Sequence, residues 1–95
     1  MRLYSWRIFE FDQEMVLAGF LENRLTCRLT TAISKIDLVG REVTTKSGRL
    51  YELLGLPTQD ESELVVIRLR LLMSIPGNGV DVTDGIWSAM RSVTN

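Results

Sequence analysis

The sequence has little of several residue types on which common protein chemistry depends. It contains no histidine, one cysteine and two prolines among 95 residues. Without histidine, the commonest general base and the commonest metal ligand are both missing. One cysteine can form neither an internal disulfide nor a thiolate zinc site. These absences remove the most frequent catalytic and metal-binding arrangements.

A charge excess of either sign is also missing. Eleven basic side chains face twelve acidic ones, so the formal net charge is −1. This balance does not suit a protein that coats nucleic acid through bulk charge. Nine of the basic residues are arginines. That preference is compatible with arginine-based recognition, although a GC-rich genome is the simpler explanation.

Long apolar runs are absent as well. The apolar segments 64–67 and 71–73 are separated by Arg68 and Arg70, and no run approaches the roughly 20 residues that span a bilayer. Charges interrupt the first residues, so neither a signal peptide nor a membrane partner is expected. The unpaired Cys27 suits a reducing compartment, which predicts a cytoplasmic location. The length predicts a single β-rich domain, residues 1–95, with a modest core.

The first third of the chain favours strands. In residues 3–11, Tyr4, Trp6 and Ile8 alternate with polar side chains, which is typical of a strand. The apolar residues 15–21 follow a polar turn, and Gly19 in their middle favours a second strand. A helix over residues 12–22, capped by Asp12, is the alternative.

The middle of the chain predicts further strands. Residues 25–36 alternate up to Ile33 and then change parity, which a β-bulge at Ser34 and Lys35 explains. Residues 43–53 predict a hairpin with two possible registers. A two-residue turn at positions 47–48 is one; a type I turn followed by Gly48 in the left-handed conformation is the other. The second register pairs Val43 with Tyr51 and is preferred, because it keeps the apolar side chains on one face.

Residues 64–75 carry two conflicting signals. Asp60 and Glu63 resemble a helix capping box, yet apolar side chains occupy every second position from Val65 to Ile75. On a helix, Arg68 and Arg70 would lie about 200° apart and interrupt the apolar face, whereas on a strand they share the solvent side. The sequence therefore predicts a strand here.

The C-terminal part predicts a helix over residues 82–92. Residues 81–84 resemble a cap, and Ile86, Trp87, Met90 and Val93 follow helical spacing. The predicted fold is thus mainly β: a small antiparallel barrel or strongly bent sheet of five or six strands with one short C-terminal helix. An α+β fold with a further helix near residues 12–22 is the alternative.

No group of residues predicts catalysis, a metal site or a cofactor. Asp81 and Asp84 resemble a helix cap more than a cation site. Residues 77–79 resemble a flexible turn more than an anion-binding loop. The serines lack a histidine to activate them, and Cys27 alternates with leucines as a small core residue does. We therefore expect a protein that is not an enzyme.

Binding through a surface is the remaining class. The predicted strands turn Arg28, Arg68 and Arg70 outward, with Trp6 and Tyr51 as aromatic candidates. Leftover apolar surface on so small a domain, including Val66 and Leu72 on the face of Arg68 and Arg70, favours a protein partner or a homodimer through an edge strand. A single-stranded nucleic-acid-binding barrel is the first alternative, since it combines arginines with stacking aromatics. An inhibitor encoded by a phage or mobile element is the second.

Overall fold

A computed structural model describes residues 1–93, which form seven strands and two helices. In chain order these are β1 (Arg2–Phe11), β2 (Glu14–Phe20), β3 (Cys27–Leu29), β4 (Ile33–Asp37), β5 (Glu42–Thr45), β6 (Leu50–Leu54), α1 (Glu61–Ser74), β7 (Val80–Asp81) and α2 (Thr83–Val93).

The strands form one mixed sheet in the order β3-β2-β1-β6-β5-β4, and β7 pairs with β1. β1 and β6 are parallel, whereas every other described pair is antiparallel. The mainly β class is confirmed. The barrel, the five or six strands and the single helix are wrong: the sheet is open, it has seven strands, and there are two helices in the described chain. Residues 64–75 were expected to add a strand, but residues 64–74 lie in α1 instead.

β1 and β2 form the hairpin that the first third of the sequence predicts. The alternative helix near residues 12–22 is wrong, because β2 is buried on both faces. Leu17 points into one core cluster, and its neighbours Val16 and Ala18 point into another. A strand with no solvent face reads as a continuous apolar run. Ser5, at φ +50°, marks a register shift in β1 between Tyr4 and Arg7.

The predicted strand at residues 25–36 is two strands. The chain leaves β2 after β3, and β4 then pairs with β5 at the other end of the sheet. Thr30 holds this crossing, since its hydroxyl accepts a hydrogen bond from the Leu17 amide at 3.0 Å. The bulge prediction is confirmed, because the β4–β5 register shifts between Ile33 and Lys35.

The hairpin of β5 and β6 has the preferred register. Val43 pairs with Tyr51, the Thr45 amide donates to the Arg49 carbonyl at 3.0 Å, and Gly48 has φ +88°. The C-terminal helix is also confirmed as α2. Its Met90 is fully buried.

Two core clusters lie on opposite faces of β1 and β2. The first is enclosed by β4–β6 and α2, and the second by α1. The first contains Leu3, Trp6, Ile8, Leu17, Ile33, Val43, Tyr51, Leu53 and Met90. The second contains Phe9, Val16, Ala18, Phe20, Ile67 and Leu71.

The prediction of a strand at residues 64–75 is wrong. The alternating pattern that suggested a strand arises because α1 is apolar on two opposite sides. Positions two apart on a helix lie about 200° apart. Val65, Leu69 and Met73 therefore fall on one side, and Ile67 and Leu71 on the other. A helix with two apolar sides reproduces the alternation of a strand.

Candidate functional site: the exposed face of α1

α1 begins at a hydrogen-bonded cap. The Asp60 carboxylate accepts a hydrogen bond from the Glu63 amide at 3.0 Å. The Thr58 hydroxyl donates to the Glu63 carboxylate at 2.6 Å and accepts from the Asp60 amide at 3.1 Å. These bonds satisfy amides that the first helical turn leaves unpaired. The capping box noted in the sequence is therefore the local signal that correctly marks this helix.

α1 ends at a proline. The amide of Ile75 donates to the Leu71 carbonyl at 2.8 Å and closes the last turn. Pro76 follows and cannot continue the hydrogen-bonding pattern. The cap and the proline together limit α1 to Glu61–Ser74, so its position on the sheet is defined at both ends.

The outward side of α1 carries large apolar side chains. At about 100° per residue, they lie within about 120° of the helix circumference, opposite Ile67. We call this set the α1 stripe, and its fractional exposures run from 44% to 85%. Its members are Val65, Val66, Leu69, Leu72 and Met73.

Arg68 and Arg70 lie on the two borders of the α1 stripe. Both are exposed. Arg70 donates a hydrogen bond to Ser74. Neither arginine forms an ion pair with a carboxylate of residues 1–93. The stripe is thus an apolar surface flanked by positive charge that no described acid neutralises.

Arg28 lies on β3, which packs beside α1. It is half-buried and also forms no ion pair within the described part of the chain. The three predicted arginines therefore belong to two adjacent elements, α1 and β3.

Trp6 and Tyr51, the predicted aromatic members of the surface, lie in the core. Trp6 is 0% exposed and Tyr51 is 3% exposed. The Trp6 indole donates to the Gly55 carbonyl at 3.3 Å and meets the Trp87 ring edge to face, with centroids 6.0 Å apart. Neither ring presents a free face to a base, so the structure does not bring the five predicted residues together.

A cavity of about 200 Å³ adjoins the α1 stripe at Leu72. Its walls are mainly apolar, and the Arg68 side chain contributes to its lining. The residues that line it are Phe9, Phe11, Arg68, Leu71, Leu72, Ile75, Gly77, Asn78 and Gly79. The turn at residues 77–79, a weak candidate for an anion site in the sequence, therefore forms one wall of this mainly apolar cavity.

Cys27 lies on β3 and is half-buried. Burial raises the pKa of its thiol, and the positive charge of Arg70 opposes this rise in part. A thiol with a raised pKa is a weak nucleophile at neutral pH. Because the Arg70 charge acts on the Cys27 thiol, the Arg70 side chain lies close to β3.

Sequence reasoning placed only two members of the α1 stripe, Val66 and Leu72, on an outward face. Val65, Leu69 and Met73 were assigned to the buried face of a strand. The capping residues Asp60 and Glu63 were the signal that could have identified a helix, and its helical projection would have shown two apolar sides.

The described part of the chain contains no group of three or more acidic or cysteine side chains placed to hold a metal ion. Across residues 1–93, neither helix is long and apolar enough to cross a membrane. Asp81 ends β7 and accepts hydrogen bonds from Arg7 and from the amide of Thr83, the first residue of α2. The α1 stripe is therefore the feature on which a function can be argued.

Three comparisons bear on the identity of the chain. No protein-family model, no curated protein and no solved structure matches it.

Proposed function

We propose that this protein is a small non-catalytic cytoplasmic domain that binds another protein through the α1 stripe. The observation that supports the proposal is the exposure of five large apolar side chains on one helix face. Large contiguous apolar patches rimmed by polar residues are characteristic of interaction sites on soluble proteins.

The arrangement of α1 adds to this argument. Ile67 and Leu71 are the buried side chains of the helix, so its attachment to the sheet uses only one side. The α1 stripe lies on the opposite side, where the domain itself does not obstruct a partner. An apolar helix face is a common element of helix-mediated recognition.

Site-specific photo-crosslinking tests the proposal. A photoreactive residue at position 72 should form adducts in an extract of the organism that encodes the protein. The same residue at position 39 is the matched control, because Val39 is 67% exposed but lies outside α1.

Adducts from position 72 that are absent from position 39 and lost in a Leu69→Asp variant would support the binding face. Equal adducts from both positions, or none from position 72, would contradict it.

An inhibitor encoded by a phage or mobile element is one form that such a binding protein could take.

A homodimer through an edge strand has less support. β4 is an edge of the sheet, but it carries a register shift next to Ile33 and the exposed Lys35. Bulges and lysines at an edge oppose pairing with a second strand. The α1 stripe is the better supported surface.

Single-stranded nucleic acid is the second candidate partner. Arg28, Arg68 and Arg70 favour it, because they form no ion pair within residues 1–93. The burial of Trp6 and Tyr51 opposes it, because it removes the expected stacking rings. Binding of labelled single-stranded DNA at low salt, weakened in an Arg68→Glu, Arg70→Glu variant, would support this function. No binding at low salt would exclude it.

A further inference from the structure

We propose that the occupant of the α1 stripe is an acidic amphipathic helix of a different protein, which places one large apolar side chain in the cavity beside Leu72. This inference rests on the proposed function and names the chemistry of the partner. It is carried by the position of the arginines, by the symmetry of the stripe and by the cavity.

A second copy of the chain does not complement the α1 stripe. Leu69 lies at the middle of the stripe, and Arg68 and Arg70 lie on its two borders close to that height. In a symmetric antiparallel pair centred on Leu69, each border meets its own equivalent, so arginine faces arginine on both sides. In a parallel pair the borders exchange, and arginine again faces arginine. Like charges set against each other oppose association.

A shifted register does not remove this conflict. Glu63 lies on the same border as Arg70, but it is half-buried and its carboxylate already accepts a hydrogen bond from Thr58. Glu61 lies on the same border as Arg68, so a second copy could bring these two residues together. That requires moving the symmetry axis about 4.5 residues, or ~7 Å, towards the start of α1. The shift leaves Leu72 and Met73 uncovered. Their side chains are 73% and 85% exposed, which makes them the most exposed members of the stripe. Charge pairing and apolar burial therefore need different registers in a homodimer.

A partner helix with carboxylates on both sides of an apolar face can pair with the arginines and bury the α1 stripe in a single register. Its apolar side chains would cover the stripe around Leu69, and its acids would pair with Arg68 on one border and Arg70 on the other. Both arginines lack an acidic partner among residues 1–93, so no existing ion pair has to be broken. Arg68 and Arg70 then select partners by charge, while the stripe supplies the apolar area.

The cavity supplies an anchor point for the same partner. It is mainly apolar, about 200 Å³ in volume, open to solvent on one side, and continuous with the α1 stripe through Leu72. An enclosed apolar cavity of about 150 Å³ accommodates benzene, so the volume here is sufficient for a phenylalanine or leucine side chain. Large apolar side chains in desolvated pockets dominate the affinity of many interfaces. Because Arg68 also lines the cavity, an acidic residue next to the anchor is expected.

Two synthetic helical peptides test the inference. Each has about 16 residues, enough to cover α1, with leucines and one phenylalanine at helical spacing and a fluorophore at one end. One peptide carries glutamates on both borders of its apolar face, and the other carries lysines. Fluorescence anisotropy is measured with the full chain at about 50 mM and about 300 mM salt.

The glutamate peptide should bind at least about tenfold more tightly than the lysine peptide, and the difference should shrink at high salt. The Arg68→Glu, Arg70→Glu variant should reverse the preference. A Lys35→Glu, Arg49→Glu variant is the matched control, because it makes the same charge change at exposed residues outside α1. It should leave the preference intact. Replacing the phenylalanine of the glutamate peptide by alanine should weaken binding by about tenfold.

Several outcomes would overturn the inference, and they separate it from the proposed function. Equal binding of both peptides, lost in Leu72→Asp, would leave α1 as a binding face but remove the acidic partner. A dimer in light scattering that Leu72→Asp dissociates would make a second copy the occupant. Binding of single-stranded DNA in place of the glutamate peptide would make nucleic acid the partner. No binding of either peptide, with a monomeric chain, would contradict the acidic helix as occupant, whereas the proposed function is decided by the crosslinking at position 72.

Discussion

Arg7 and Asp81 form a largely buried ion pair that joins β1 to the start of α2. The Arg7 side chain donates to one Asp81 carboxylate oxygen from Nε at 3.1 Å and from Nη2 at 3.0 Å. Its Nη1 donates to the Thr58 carbonyl at 3.0 Å. The other Asp81 oxygen accepts from the Thr83 amide at 3.0 Å. One guanidinium thus holds together β1, the segment before α1 and the segment before α2.

Removing this guanidinium should destabilise the fold. An Arg7→Met variant should lose about 2–3 kcal/mol of unfolding free energy, because Asp81 and the Thr58 carbonyl lose their donor. Arg2→Met is the matched control. Its ion pair with Glu52 is long, at 3.7 Å, and exposed, so the loss should stay near zero. Urea unfolding measures both, and equal losses would contradict the structural role of Arg7.

The same pair predicts a pH dependence of stability. Burial raises the pKa of Asp81, but hydrogen bonds from Thr83 and the charge and hydrogen bonds of Arg7 outweigh it, so the pKa lies below its usual value of 3.8. A carboxyl whose pKa is lower in the folded state contributes stability above its unfolded pKa, and loses it as the pH falls through the folded value. Unfolding free energy should therefore fall below about pH 4.

An Asp81→Asn variant supplies the control for this pH dependence. It should be less stable than the wild type at pH 7, with a smaller further loss below about pH 4. Urea midpoints measured from neutral to acidic pH test this. The same acid slope in both proteins would show that other carboxyls cause the loss.

The two sides of α1 should respond oppositely to truncation. Ile67→Ala should cost about 2–4 kcal/mol, because Ile67 is fully buried against β1 and β2. Leu72→Ala should change stability by less than about 0.5 kcal/mol, because Leu72 is 73% exposed. Thermal unfolding of both variants measures the difference. Similar losses would contradict the orientation of the helix.

Gly79 should not tolerate a side chain. A methyl group there would overlap the Phe11 ring, so Gly79→Ala should cost about 1–3 kcal/mol or displace Phe11 from the cavity wall. Gly85→Ala is the matched control, since a methyl group at this helical position would meet no described atom within 4 Å. It should stabilise the protein by about 0.5–1 kcal/mol. Stabilisation by both substitutions would contradict the close packing of residue 79 on Phe11.

Cys27 should react slowly with alkylating reagents in the folded state. Burial raises the pKa of its thiol and Arg70 lowers it in part, so little thiolate is present at neutral pH. The rate of iodoacetamide modification should rise on unfolding in urea. In Arg70→Gln, the pH midpoint of the reaction should move upward, because the opposing charge is lost. A midpoint that does not move would show that Arg70 does not act on Cys27.

Local chemistry in the sequence determined several elements correctly. Gly48 adopts the left-handed conformation that one of the two possible β5–β6 turns requires, and the shared apolar face of Val43 and Tyr51 selected that register. The parity change after Ile33 located the bulge, because an extra residue reverses the faces of a strand. The spacing of Ile86, Trp87 and Met90 identified α2, whose apolar side chains face one cluster. The candidate site was only partly predicted: Arg68 and Arg70 were found with two apolar members of the α1 stripe, but the other three members were assigned to a buried face.

Tertiary structure decided what periodicity left ambiguous. Alternating apolar residues describe a strand with one buried face, and they also describe a helix with two apolar sides. Burial of Ile67 and Leu71 against β1 and β2 leaves Val65, Leu69 and Met73 facing outward. The burial of Trp6 and Tyr51 also depended on tertiary structure. Alternation along a strand shows which residues share a face, but not which face the rest of the chain covers. The parallel pairing of β1 with β6 likewise depends on contacts between residues about 50 positions apart, which no local pattern encodes.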